Sequence, residues 1–553
     1  MRLLKINGSK AVIDEQTAIG VTFQSYDVKQ PGVRKVNITN NFTIPAVTEN
    51  LQKFGFANNP QTTSKKVYGA AQCDYWAGNE PLISDAKCRV NDIGDRIGLF
   101  VFQKPDVWEQ LKLVKWPDFI ADFVSWLQSE KGYPSAGAPF LGNFGEFIEP
   151  YVSNTEGLIL PFYFGNLYNF DPAGGENFLE TPTDIWLRYW AEGTTVKADG
   201  GHFGVFAKTV FEYIESAYGV SFLTQGGVLN GNLWDDDFAS AVYGPMRDIT
   251  VRFSYDGPTL QGFYFEANEE PIYLPLKNVK DKGAKTLYDY VNAFFQHFNV
   301  IKDEVQIGTQ TVIRLARFDD LESVAQVEQW SNKLTGTPLF KPTVDGYAQS
   351  NNIRFKEIFP EGDADSNSKV LTSENKNLDA STDLFEIDAY INSFLGITGG
   401  VVPDLSIKEA FKTFSFFINS GLTTDIINIH ASEDSPEQVA TFRLQKPALY
   451  SLDGEYNFLD EIIDYPVFYE AEMWLTINDI KGLEFFKQYF IKELGGSYFI
   501  NKISGFNPDK SFAPTKLELI KLGNRTPITP PTLDYWTDGV GDGFTDGEND
   551  LFF

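Results

Sequence analysis

Apolar residues recur along this chain with two periods, and the change of period separates strands from helices. Between residues 494 and 522 the period is two. Tyr498, Ile500 and Ile503 carry a first strand, Leu517, Leu519 and Leu522 a second, and residues 505–510 supply the turn. A hairpin at the end of a long β-rich chain suits the closing of a barrel. Residues 1–15 read as another hairpin: apolar positions at 3–6 and 11–13 flank Asn7-Gly8, the pair that tolerates the positive φ of a tight turn. Val36, Ile38, Phe42 and Ile44 continue the alternation with Asn40 as an interruption, and Ile249-Thr-Val-Arg-Phe-Ser-Tyr255 reads as extended.

Elsewhere the period lengthens to that of a helix. Phe119, Ile120, Phe123, Val124 and Leu127 share one face of a helix entered at Pro117-Asp118, where proline fits the first turn. Two helix-then-strand units follow. Phe206, Val210, Ile214 and Ala217 precede a strand at 219–223. Leu287, Val291, Phe294 and Phe298 precede strands near 300–306 and 310–317, with Thr286 and Asp289 spaced for a capping box. A last helix is predicted over 478–494, with Leu483, Phe486, Phe490 and Leu494 on one side and Gly495-Gly496 as its stop. Residues 361–382 are polar, acidic and almost free of large apolar side chains, so they read as a long exposed loop. No tandem repeat of fixed period is evident.

The predicted fold class is a β-rich α+β chain of several β-barrel or sandwich domains with interspersed short helices. At about 150 residues per domain, 553 residues make roughly three or four domains. The pattern divides into 1–135, β-rich with a helix; 136–280, β-rich with a helix-strand unit; 281–400, α+β with the acidic loop 361–382; 401–524, a β domain closed by the hairpin; and 525–553, an acidic Gly/Asp-rich tail.

Composition adjusts this picture in two respects. The chain holds 48 Phe, 25 Tyr and 10 Trp against 3 Met, an aromatic excess suited to strands and to wide contact surfaces. Its net charge of −29 argues against nucleic acid and anionic membrane as partners and leaves room for divalent cations or basic proteins. The N-terminal stretch lacks the apolar core of a secretory signal, and no segment approaches the ~18 apolar residues of a membrane span. Two cysteines, Cys73 and Cys88, are too few for a disulfide framework and suit neither a CxxC redox motif nor a zinc cluster. A single bridge between them is one option; a reduced protein folded in a cytoplasm is the simpler one.

Catalytic motifs are lacking. His202, His297 and His430 are the only histidines, and none lies in HExxH or beside a carboxylate at ligand spacing; His297, within Phe-Phe-Gln-His-Phe, reads as a packing residue. No GxSxG elbow, Walker A loop or GxGxxG after a strand is present. The acid pairs Asp235 with Asp237, and Asp319 with Asp320, could be read as glycosidase carboxylates, but a solvated acidic loop explains them more simply. In the tail, Asp538, Asp542, Asp546 and Asp550 recur among glycines, as a calcium loop would need. Counting Asp538 as position 1 of an EF-hand loop, Asp542, Gly543 and Asp546 fall on positions 5, 6 and 9. Val540 and Asn549 fall on positions 3 and 12 and do not match, so a flexible acidic tail stands beside the Ca²⁺ reading.

Arg34-Lys-Val-Asn-Ile-Thr-Asn-Asn-Phe-Thr-Ile-Pro45 followed by Phe54-Gly-Phe-Ala-Asn-Asn, the capped helix at Thr286 with its strands, Gln329-Trp-Ser-Asn-Lys-Leu334, Tyr347-Ala-Gln-Ser-Asn-Asn-Ile-Arg-Phe-Lys356, and the terminal hairpin form an ordered series. Together they resemble tail-hub, baseplate-hub or tail-tip structural proteins of tailed bacteriophages and prophages of Bacteroidota. The resemblance implies tail-tube-like barrel domains in a homo-oligomer, with a trimer favoured. It implies a virion protein of the tail tip, assembled in the host cytoplasm, whose partners are tube, baseplate, spike or fibre subunits. It carries over no catalytic residue, and the tail from Asp538 departs from its pattern. The rival expectation is a carbohydrate-binding or glycan-degrading phage tail protein, with aromatics as sugar platforms.

Overall fold

The computed structural model describes most of residues 2–141, 201–223, 285–359, 368–392 and 455–521, together with backbone strands between Leu158 and Leu449. The chain is β-rich with a few short helices, and its largest element is a 14-stranded sheet. From edge to edge the main path runs Ser9–Lys10, Arg2–Ile6, Ala71–Ala77, Glu80–Ile93, Arg96–Gln103, Ile38–Thr39, Val21–Phe23, Gly496–Phe506, Thr515–Lys521, Phe468–Met473 and Leu334–Lys341. Strands from the first hundred residues and from the last described fifty thus share one sheet. It curls around a core that draws Leu4, Tyr75 and Leu99 from one half and Tyr489, Ile503 and Leu519 from the other.

The first hairpin forms as its sequence predicts. Arg2–Ile6 pairs with Ser9–Lys10, and Asn7 and Gly8 take φ of 50° and 75° at the turn. The terminal hairpin, Gly496–Phe506 with Thr515–Lys521, also forms, but it does not close the sheet. Val21–Phe23 pairs on one side of it and Phe468–Met473 on the other. The reason lies in its two faces. Tyr498, Ile500, Ile503, Leu517 and Leu519 enter the sheet core, whereas Phe499 and Ile520 enter a second, helix-lined core. A strand apolar on both faces must be covered on both, which places it inside the molecule.

The second core is built by helices. Asp106–Leu113 and Trp116–Glu130 form two helices where one was predicted, and the second carries its proline in the first turn with Phe119, Ile120, Phe123, Val124 and Leu127 all buried. Ala207–Tyr218 ends at Gly219, left-handed with φ 65°, and leads into Ser221–Leu223. Leu287–His297 begins at Thr286 with the predicted capping box and leads into Val300–Ile307 and Gln310–Arg317. Ser221–Leu223 then pairs in parallel with Gln310–Arg317, so the two helix-strand units join in one small sheet. The extended segment near 250 is the strand Ile249–Asp256.

Two further expectations fail. Over 478–494 the helix is confined to Ile477–Lys481; Gln488–Ile491 is a strand paired with Gly496–Phe506, and Lys492–Leu494 is a single 3₁₀ turn. The pairing buries Tyr489 and Ile491 on one face, which a continued helix would not achieve. Within 361–382, Ser368–Thr372 is a strand paired with Ser350–Phe359, so the acidic stretch is not one loop. Val370 and Leu371, the apolar pair inside that stretch, lie in the strand, and Leu371 is fully buried.

Candidate functional site

The predicted calcium ligands Asp538, Asp542, Asp546 and Asp550 lie outside the described residues, as do Asp235 and Asp237. Among the described residues no group of three or more His, Cys, Asp or Glu is placed to hold a metal ion, and no helix is long and apolar enough to cross a membrane. Asp319 has another role. Its carboxylate accepts from the backbone N–H groups of Asn457 (3.2 Å) and Phe458 (3.3 Å), at the start of the helix Asn457–Asp464. Burial pushes its carboxyl above the usual range while those two donors pull it down. It is a cap supplied from a different part of the chain.

His297 is buried against the rings of Phe298 and Phe355, at centroid distances of 4.4 and 5.2 Å. Burial lowers its pKa to about 3, so it stays neutral. His202 and His430 stand on strands Gly201–Phe206 and Ile426–Ser432, which belong to different sheets.

The buried charges act as internal struts. Arg314 pairs with Asp303 and lies 3.5 Å from Glu484, and Arg317 pairs with the fully buried Glu455 at 2.6 Å. Lys302 pairs with Glu304 and sits 4.6 Å over the Trp108 ring, whose indole N–H donates to the same Glu304. At the wall between the cores, Asn501 accepts from the N–H of Val28 (3.0 Å) and donates to Glu518 (3.0 Å). A cavity of about 30 Å³ beside it, lined by Tyr26, Phe318, Phe499 and Ile520 among others, has room for water.

Among the described residues the remaining candidate is surface. Leu334–Lys341 ends the sheet, bonded on one side to Phe468–Met473. Its first half is blunted as edges usually are, by Gly336, Pro338 and a register shift between Thr335 and Leu339. Beyond the shift, Leu339 is 57% and Phe340 47% exposed, with Phe340 5.4 Å from the Tyr469 ring. Trp474, 55% exposed, bonds through its N–H to Lys333 at the start of the same strand. On the outward face of the N-terminal strands, Lys5 lies 5.0 Å over Trp76 and Arg89 5.2 Å over Phe102. This cationic and aromatic face stands on a chain of net charge −29. Aromatic and Arg side chains of this kind supply the anchors of protein interfaces.

Sequence reasoning singled out none of Leu339, Phe340 and Trp474. One signal was available: Pro338 inside a run that otherwise reads as strand marks an edge.

No family model matches this chain, and no curated protein matches it. Among solved structures it is similar to the crystal structure of the prophage MuSo2 43 kDa tail protein from Shewanella oneidensis, at 8% identity and a TM-score of 0.34, over 94% of this chain and 97% of that one.

Proposed function

We propose that this chain is a non-enzymatic structural protein of a phage virion, a hub or baseplate component that joins the tail tube to the distal tail-tip or fibre apparatus. The observation that carries the reading is the division of labour between inside and outside. Among the described residues the buried charged side chains are engaged as caps and struts, while large apolar side chains are left at a sheet edge. Such an architecture works through contact. The ordered series of segments from Arg34 to the terminal hairpin supports the same role. In this reading the protein assembles in the host cytoplasm as a homo-oligomer, a trimer favoured, and meets tube, baseplate, spike or fibre subunits through edges and aromatic faces. Ca²⁺ at Asp538, Asp542, Asp546 and Asp550 belongs to the proposal as an accessory ligand.

Light scattering on the purified chain tests it. A stable mass at an integral multiple of 62.2 kDa, reduced by Leu339→Glu with Phe340→Glu, is the expected result. A monomer that releases sugar from bacterial polysaccharide overturns it. Calorimetry with Ca²⁺ on the wild type and on an Asp542→Ala, Asp546→Ala variant tests the tail separately; heat that is the same in both, or absent from both, rejects the metal loop.

A further inference from the structure

Asn501 stands at a fault in the strand Gly496–Phe506. Ile500 pairs with Leu519 and Lys502 with Glu518, so Asn501 is the extra residue of a β-bulge. A bulge re-aims the side chain it carries. Here the carboxamide, 3% exposed, reaches the turn at Asp27–Lys29, and its partner Val28 is 473 residues away in sequence.

Three reactive groups meet at that turn. The Lys29 Nζ lies 3.2 Å from one carboxylate oxygen of Glu518, and the Asn501 Nδ2 donates to the same oxygen at 3.0 Å. The backbone N–H of Val28 donates to the Asn501 Oδ1 at 3.0 Å. Lys29 and Glu518 are 22% and 20% exposed, so the group is largely withdrawn from water. Two further carboxylates stand at its margin: Asp345 is 3.8 Å from the Lys29 Nζ, and Asp27 is 3.5 Å from the Asn501 Nδ2.

We infer that Lys29 and Asn501 join through an isopeptide bond, with Glu518 carrying the proton. The Lys29 ammonium passes a proton to the Glu518 carboxylate and becomes a nucleophile. Its Nζ attacks the Asn501 Cγ, and the Val28 N–H, already on the Oδ1, stabilises the negative charge that develops there. Glu518 gives its proton to the Nδ2, and the Cγ–Nδ2 bond breaks as the carbonyl re-forms. The departing ammonia takes the surplus proton of the Nζ and leaves as ammonium. One side-chain ammonium and one carboxamide thus become one secondary amide and one ammonium ion, with no oxidant or cofactor required. Amide exchange is slow in solution, and holding amine and carboxamide on one oxygen supplies the effective concentration it needs. The cavity of about 30 Å³ that Asn501 helps to line has room for a leaving molecule the size of water.

The bond fastens the N-terminal turn to the terminal hairpin, in reducing and oxidising media alike. It does not rest on the functional reading above. Intact mass of the denatured full chain, followed by peptide mapping under reducing conditions, tests it. The expected chain is lighter than its sequence by one ammonia, about 17 Da, and yields one branched peptide pair joined through Lys29 and Asn501. Lys29→Arg and Glu518→Gln are expected to keep the full mass. Glu518→Asp retains a carboxylate and should form the bond more slowly after refolding. Because the wild type alone decides the bond, a misfolded variant cannot mask the answer. A wild type of full mass, with Lys29 and Asn501 in separate peptides, overturns the proposal and leaves an ion pair only. So does a loss of that size that maps to Asn7-Gly8 as a cyclic imide. Bond formation at the wild-type rate in Glu518→Gln overturns the part given to Glu518.

Discussion

The two cores on either side of the terminal hairpin are built by opposite means. The sheet core is lined by strands, whose ladders satisfy the backbone and let side chains be almost entirely apolar. The helix core gathers helix ends and loops, whose polar groups need side-chain partners. It therefore buries Asn351, which donates to the carbonyl of Leu371 at 3.1 Å; Asn299, which accepts from Tyr26 at 3.2 Å; Glu455 against Arg317; and His297 among phenylalanines. The first core buries neutral polar side chains such as Asn50 and Thr39 at its margins, whereas the second also depends on the charge state of buried groups.

Removing side chains from the wall between them gives the largest effect. Phe499→Ala should cost about 3–5 kcal/mol and Ile500→Ala about 2–5 kcal/mol in urea unfolding, although neighbouring residues on a strand face opposite ways. A near-neutral result for either would mean that the hairpin has one covered face and is not a shared wall.

Acid should then separate the cores. His297 is held neutral in the fold, with its pKa lowered to about 3, whereas an unfolded histidine titrates near 6.5. The unfolded chain therefore binds the extra proton. The contribution of His297 to stability is whole above about pH 6.5 and falls by roughly 1.4 kcal/mol per pH unit as the pH drops toward 3. Urea midpoints at pH 7 and pH 5 should differ more in the wild type than in His297→Phe; equal differences would sink the assignment.

A smaller effect compares like with like, because each core has a helix with a Thr-Asp capping box. Thr286 accepts from the N–H of Asp289 at 3.3 Å, and Thr476 accepts from that of Asp479 at 3.3 Å. Thr286→Ala and Thr476→Ala should each cost about 1 kcal/mol. Because they belong to separate cores, the double variant should be additive within about 0.5 kcal/mol. A larger departure in denaturant titration would mean that the wall couples the cores. Smallest of all, Lys5→Ala on the outward face of the first hairpin should move stability by no more than about 0.5 kcal/mol, in contrast to either face of the terminal one.

Local signals with a strong chemical cause were readable in the sequence. Asn7-Gly8, Pro117, and Thr286 with Asp289 each impose a backbone geometry that only a few residue types satisfy, and each sits where its chemistry places it. The helix expected through Leu494 failed because its 3-4 spacing also fits a short helix, a turn and a strand. The pairing of Tyr489 with Tyr498, nine residues on, decided between them. The central place of the terminal hairpin was half-visible: Tyr498-Phe-Ile500 is a continuous apolar run, the mark of a strand buried on both faces. Its neighbours, Val21–Phe23 and Phe468–Met473, lie too far away in sequence for any local window to supply them. The exposed edge at Leu339 and Phe340 was harder still. Pro338 marks the strand as an edge, but which side chains stay exposed along it depends on what does not pack there.

The sheet order also has a consequence for synthesis. Its strand Val21–Phe23 leaves the ribosome more than four hundred residues ahead of its partner Gly496–Phe506. At about 5–20 residues per second that is a wait of roughly 24–95 s, with Val21, Ile44 and Leu99 lacking the second half of their core. Nascent chains should thus carry an incomplete, chaperone-dependent sheet until residue 521 is free, and folding should be slow and governed by this one distant pairing.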